Sequence, residues 1–334
     1  MIMSGKNYQI FDVSRLKLLP LEERDDDLRK DFILPLPAHN ACAGSLAPHL
    51  EAMASAMLTA KRMAAANIFL CGAHVLRAGV QNYLFDLMEK GWISGIAVNG
   101  AAVIHDFEIA LRGSTTESVA RYIKDGRFGM WTETGAINDI VNAGWKKGLG
   151  IGEAVGEALC SKRFPYSHLS LFARAWEYEI PVTVHVSIGY DIIHTHPNFD
   201  GASTGGASHR DFLVFAKLLE NLQHGCVCTF GSAVMAPEVF LKALSMVRNV
   251  ARQQGRAINA FSSLVCDLHE LPRQIADEAT KSNPLYFFRP WKTLLSRTVS
   301  DGGQSYYVCG RHHETIPALW HACLKMESDV RSCI

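Results

Sequence analysis

The sequence carries no net charge: 33 lysines and arginines balance 33 aspartates and glutamates over 334 residues. A neutral chain lacks the field that draws proteins to nucleic acid or to an anionic membrane. No basic stripe with interleaved aromatics offsets that balance, so neither is an expected partner. Apolar runs long enough to cross a bilayer are absent. So is a basic-then-apolar signal design at the N-terminus, where Glu22-Glu-Arg-Asp-Asp-Asp27 stands instead. The expected location is therefore cytoplasmic. There is no Cys-x-x-Cys pair, which disfavours a thiolate zinc knuckle. The cysteines are Cys42, Cys71, Cys160, Cys226, Cys228, Cys266, Cys309, Cys323 and Cys333. Their odd number and their place in apolar runs such as Gly225–Phe230 fit reduced, buried thiols better than a disulfide framework. Internal repeats, low-complexity tracts and flexible linkers are missing as well.

What is present is a globular composition, 48% apolar and 20% charged, enough to fill a sizeable core. Residues 1–66 read as an N-terminal arm, suited to packing on a neighbouring subunit, and a helix from His49 to Ala65. Residues 67–334 read as a single Rossmann-like α/β domain. Its grammar is strand, short Gly turn, helix, strand. The strands are predicted at Asn67–Cys71, Ile93–Val98, Val182–Ser187, Cys226–Phe230, Ala260–Val265 and Tyr306–Cys309. Helices are predicted at Val75–Lys90, Ala102–Leu111, Asp211–Leu222, Pro237–Gln253 and Ile316–Met326, and the stretch 115–179 reads as mainly helical. Continuous apolar strands alternating with helices predict a mostly parallel sheet covered on both faces.

In such a sheet, ligands bind beyond the carboxyl ends of the strands. Small residues recur there: Gly72-Ala73-His74, Asn99-Gly100-Ala101, Gly189-Tyr190-Asp191, Gly231-Ser232 and Gly310-Arg311-His312-His313. Any single glycine is explained by a tight turn. Five coincident tips point to a nucleotide-like ligand held by backbone N–H groups. Neither G-x-G-x-x-G nor G-x-x-x-x-G-K-[ST] occurs, so no standard phosphate loop is available. The stretch 200–211, rich in Gly and Ser, is either a capped loop with Ser208 and Asp211 as a capping box or a mobile loop over the site. His194 and His196, alternating on an extended segment with Asp200 just beyond, define a rival reading, a metal-dependent hydrolase. Lys292 follows Trp291 in Phe-Phe-Arg-Pro-Trp-Lys. It is a solvated surface charge, or a desolvated amine suited to imine chemistry.

The run Asn67-Ile-Phe-Leu to Leu76-Arg-Ala-Gly79, then Val98-Asn-Gly-Ala-Ala-Val-Ile-His-Asp106, resembles the first half of deoxyhypusine synthase. So do Ile180-Pro-Val-Thr-Val-His-Val-Ser-Ile-Gly-Tyr-Asp191, the strand and turn Cys226–Ser232, the Trp291-Lys292 pair and the helix at Pro317-Ala-Leu. The resemblance spans residues 67–324 in the same order, with degenerate motifs. It implies a Rossmann-like sheet, a homotetramer, NAD as cofactor and an aminobutyl-type transfer through an enzyme-lysine imine. By position it implies NAD contacts at Ala73, His74, Asn99, Gly100, Ala101, His185, Gly231, Arg311 and His312. It implies catalytic roles for Lys292 and His105 and substrate contacts at Asp106 and Asp191. Several positions depart from the family. Ile104 and His105 replace paired glutamates, and His185 and Arg311 replace acidic residues on the cofactor. The catalytic histidine, expected near Ala236-Pro237, is missing. Lys292 matches only across a one-residue gap; otherwise the slot is Thr293. Losing acids disfavours a polycation. The implied reaction is therefore NAD-dependent transfer on an amine or polyamine other than the family's usual one. An inactive, nucleotide-binding homologue is the further alternative.

Overall fold

The computed structural model describes residues 8–37, 47–272, 275 and 277–332. Strand β1 (Asp26–Arg29) and helix α1 (Ala47–Arg62) precede the first sheet strand, β2 (Asn67–Cys71). Then come α2 (Ala73–Arg77), α3 (Gln81–Glu89), β3 (Gly95–Asn99), α4 (Gly100–Arg112), β4 (Ser114–Glu117) and α5 (Val119–Tyr122). Helices α6 (Ala136–Lys146), α7 (Ile151–Leu159) and α8 (Leu171–Glu177) lead to β5 (Val182–His185) and α9 (Gly201–Leu219). The chain closes with β6 (Cys226–Phe230), α10 (Met235–Gln253), β7 (Ser262–Asp267), β8 (Gln304–Cys309) and α11 (His312–Ser332).

The main sheet is six-stranded and entirely parallel, in the order β5-β3-β2-β6-β7-β8. This is the Rossmann-like α/β architecture that the strand–helix alternation predicts. The residues of β2, β5 and β6 are all buried, as strands covered on both faces must be. One face packs against α1, α2, α3, α4, α8 and α11 through residues such as Met57, Phe69, Phe107 and Phe230. The other packs against α9 and α10 through Phe215, Phe240, Phe261 and Leu294. Each such fully buried side chain contributes about 1.5–3 kcal/mol. From β2 the chain winds through β3 to β5 on one side and through β6, β7 and β8 on the other. The switch point therefore falls between β2 and β6.

Three local expectations change. The helix expected over 75–90 is two helices, broken at Gly79. There φ is +74° and a Cβ would overlap the Phe32 carbonyl of the arm. The arm itself packs on its own chain. β1 pairs antiparallel with β4, and Leu34 N–H donates to Gly79 O at 2.8 Å. The Gly/Ser stretch is the first half of α9, not a loop. Asp200 caps it by accepting from Ala202 and Ser203 N–H, and Gly206 lies where a Cβ would strike the Trp145 indole of α6. Small residues here serve close helix packing.

Seven cysteines fall among the described residues, and all are free thiols. Cys71, Cys226, Cys228, Cys266 and Cys323 are buried in the core. Burial pushes the thiols of Cys71 and Cys226 up to about 12. Cys42 and Cys333 lie outside the described residues.

Candidate active site at the strand switch point

Parallel pairing brings three strand tips level. Cys71 pairs with Val98 on one side and with Phe230 on the other, so Asn99, Gly72 and Gly231 follow side by side. A Cβ at Gly72 would lie 2.9 Å from Ser232 N, and one at Gly231 would lie 3.1 Å from His312 Nε2. One at Gly100 would overlap the Asp191 carboxylate. These glycines are thus required by the approach of one tip to another, the bland alternative for each taken singly. What points to a ligand is different. Asn99 Oδ1, Ser232 Oγ, His312 Nδ1 and Arg77 Nε are buried atoms with no hydrogen-bond partner.

Around them stand several titratable groups. His74, at the start of α2, receives a hydrogen bond from Arg77 at 3.3 Å. Burial first, then Arg77, lowers its affinity for a proton. His312, the first residue of α11, is likewise held below its ordinary value by burial, against the pull of Asp267. His105 faces the same corner. Its Nδ1 is 2.9 Å from Thr115 Oγ1, which donates to Glu108 Oε2 at 2.7 Å. Glu108 is gripped by Arg24 of the arm at 2.8 and 2.7 Å. Burial drops His105 to about 4, so the ring is neutral near pH 7 and its orientation is set by the Thr115–Glu108–Arg24 chain. Asp191 lies over the start of α4 and burial raises it to about 6. Ala73 and Ala101 contribute only backbone at the first turns of α2 and α4. Arg311 is exposed, and its backbone N–H donates to Glu314 at 3.2 Å.

Five residues are placed otherwise than expected. Asp106 is wholly buried and accepts from Ser170 Oγ, Leu171 N (2.7 Å) and Phe172 N (3.2 Å). It anchors the start of α8 and does not face the crevice: an aspartate one residue after His105 on a helix turns about 100° away. His185 is turned under α9, edge-on to Phe212 and Phe215, with Nε2 3.1 Å from Thr183 Oγ1. Burial lowers it to about 4. The presumed metal ligands are each engaged separately. His194 Nδ1 accepts from Gly189 and Asp191 N–H, His196 Nε2 donates to Gly129 O at 2.7 Å, and Asp200 caps α9. Among the described residues no three His, Cys, Asp or Glu side chains gather as a metal site.

Lys292 lies in a π-helical turn, Trp291–Arg297. Its ammonium is 3.9 Å from the Tyr286 ring centroid and 3.9 Å from Glu278 Oε2, and the side chain is only 12% exposed. It is thus neither solvated nor bare. The turn packs on the α9–α10 face, with Trp291 and Leu294 in that core, whereas α4 with His105 packs on the other face. Within one chain the two are on opposite sides of the sheet.

Arg77 and Asp267 were not legible as crevice residues from the sequence, whereas Ser232 stood among the strand tips. Asp267 ends β7, two residues beyond the expected strand end, because the apolar run was followed only to Val265. Position after a strand was the signal available for it.

Neither a protein-family model nor a curated protein matches the sequence. Solved structures do share its fold. Unliganded AgrE superposes with a TM-score of 0.51 at 12% identity over 86% of this chain and 34% of AgrE. AgrE in a ternary complex with ornithine and NAD+ gives 0.49 at 13% identity, over 87% and 35%. A protein from Methanococcus maripaludis S2, provisionally assigned to the LOR/SDH group, gives 0.49 at 15% over 88% and 74%. An Entamoeba histolytica protein, provisionally assigned as a deoxyhypusine synthase, gives 0.36 at 9% over 78% and 76%. The chain spans about a third of the length of AgrE. At these identities the likeness establishes the Rossmann-like fold. No helix among the described residues is long and apolar enough to cross a membrane.

Proposed function

We propose that the chain is a nicotinamide-dinucleotide-dependent enzyme acting on an amine-type substrate at the β2–β6 switch point. The observation that carries this is the convergence of unpartnered buried polar atoms on Asn99, Ser232, His312 and Arg77. Each such atom costs about 1–3 kcal/mol while unpaired, so a polar ligand at this corner recovers that cost. NAD suits the donor set. Asn99 and Ser232 offer an acceptor and a hydroxyl, His312 a ring nitrogen, and Asp267 a carboxylate for ribose hydroxyls at the tip of β7. When bound, NAD supplies a hydride acceptor for a carbon bearing nitrogen. The resemblance to deoxyhypusine synthase, and the ornithine and NAD+ held by AgrE, support an amine as the other reactant.

In this reading neutral His105, oriented through Thr115, takes the amine proton, and Asp191 holds the substrate's second nitrogen. Loss of hydride converts the C–N carbon to an imine carbon. Lys292, its ammonium proton passed to Glu278, would add there as the free amine, and the departing amine would leave with the proton that His105 took. A π-helical turn is a frequent setting for a functional side chain. Because Lys292 and His105 lie on opposite faces of one sheet, the reading pairs Lys292 of one subunit with His105 of another in a homotetramer. Exposed Ile188, Tyr190, Val234 and Leu268 follow the ends of β5, β6 and β7, which supports an interface there.

The test is thermal denaturation with NAD, then with spermidine, putrescine, agmatine and ornithine added in turn. Near 100 Kd of NAD the expected rise in Tm is ~3–8 °C, enlarged by one amine. A rise with NAD but no turnover of any amine would support the inactive homologue. No rise with NAD or its phosphorylated form would sink the cofactor assignment.

A further inference from the structure

A cavity of about 770 Å³ opens at the first residues of β5, at the opposite end of that strand from the crevice. Helices α7, α8 and α9 wall it, and it shares no residue with the switch-point site. Its floor is apolar: Phe172, Pro181, Val182 and Val214. Phe172 is fully buried, while the indole of Trp176 stands exposed on the wall. Three carboxylates line the cavity, Glu153, Glu177 and Glu179, against one guanidinium, Arg210. Arg210 lies 3.8 Å from Glu153. Glu177 meets Arg174 at 2.7 Å. Glu179 has no ion-pair partner among the described residues. The fourth acid, Asp211, is buried and spent on backbone: it accepts from Gly152 N at 3.0 Å and Val184 N at 2.9 Å.

An apolar floor, an open aromatic face and a net-negative lining select one ligand chemistry. The hydrocarbon body of an amphipathic cation would displace water from Phe172 and Val214. Its ammonium would meet the Trp176 ring face and Glu179, where a cation gains from both the ring quadrupole and the negative charge. An anion of the same shape meets repulsion, and a neutral molecule gains only the floor. We infer that this cavity is a binding site for an amphipathic organic cation, such as an aryl- or alkylammonium, separate from the switch-point crevice. The inference is independent of the reading proposed for that crevice.

Cys160 is a free, exposed thiol lining the cavity, which makes it a reporter. The full chain is treated with N-ethylmaleimide, and modification of Cys160 is followed by mass spectrometry of its peptide. Exposed Cys309 serves as the internal control. With 2-phenylethylamine at ~10 Kd, Cys160 should react ~10-fold more slowly, saturably, with Cys309 unchanged. The isosteric anion 3-phenylpropionate should give no protection. The double substitution Glu177→Gln and Glu179→Gln, both exposed positions, should raise the amine concentration needed severalfold while leaving the fold intact. Three results overturn the inference: no protection by the amine, equal protection by 3-phenylpropionate, or protection that grows with protein concentration alone, which would make a second copy of this chain the occupant.

Discussion

Arg24 shows how a single side chain decides the setting of a site distant in sequence. It is almost fully buried, forks onto Glu108 and reaches Asp26 at 2.7 Å. Glu108 in turn accepts from Thr115 and Thr134. The guanidinium holds Glu108 below the ordinary carboxylate range despite burial. Arg24→Ala strands that carboxylate, and the expected loss is about 3–5 kcal/mol in denaturant unfolding. Replacing the pair together with Met and Leu should recover most of it. A loss below 1 kcal/mol for the single variant would mean that the arm is not needed to hold α4. Protonation acts at the same scale. His185 titrates near 4 in the fold and near 6.5 when unfolded. Its contribution is fully present above about pH 6.5 and is lost as pH falls towards 4, up to about 3 kcal/mol. Burial raises Asp106 to about 6 and Asp211 to about 7, so these act oppositely, lowering stability as pH rises from about 4. The clean reading is therefore the difference between wild type and His185→Phe. That difference should narrow, in the variant's favour, between pH 6.5 and 4; a constant difference would mean that His185 titrates alike in the folded and unfolded states, and a widening one that the fold holds it protonated.

At the scale of elements, carboxylates do the work of caps and edge covers. Asp106 satisfies three donors at the start of α8, so Asp106→Ala leaves buried N–H groups unpaired. The expected cost is ~2–3 kcal/mol, the same with or without NAD and amine. A stable variant that has lost only substrate affinity would restore Asp106 to the crevice. Strand β5 is the sheet's edge, and α9 covers it. Asp211 accepts from Val184 N, and Ser208 accepts from Val186 N and donates to Val184 O. The edge polar groups that would otherwise invite another strand are occupied. Asp200→Ala should cost α9 about 1 kcal/mol through loss of its cap.

For the whole molecule, the open question is whether the crevice is complete within one chain. Lys292 and His105 are separated by the sheet, and apolar side chains rim the strand ends. Light scattering should give a tetramer, and Lys292→Ala should abolish amine transfer while leaving the NAD-induced rise in Tm. A clean monomer would remove the shared site, and full activity of Lys292→Ala would remove the lysine. Mixing Lys292→Ala with His105→Gln chains should restore part of the activity if the two residues meet between subunits.

The sequence by itself determined the sheet. Continuous apolar runs at Asn67–Cys71 and Cys226–Phe230, each followed by a small residue, read as strands buried on both faces, and the helices between them favour parallel connections. It did not determine which polar side chains turn to the crevice. Asp106 and His105 are neighbours in sequence, yet one is an internal anchor and the other a ring held by Thr115, because the helix rotates between them and Ser170 claims the carboxylate. The alternation His194-Thr-His196 suggested shared ligands on an extended segment. The chain there is a short helical turn, which sends the two rings to different partners. Helical phase, edge covering and the pairing of distant charges depend on which elements meet, and only the tertiary structure decided that.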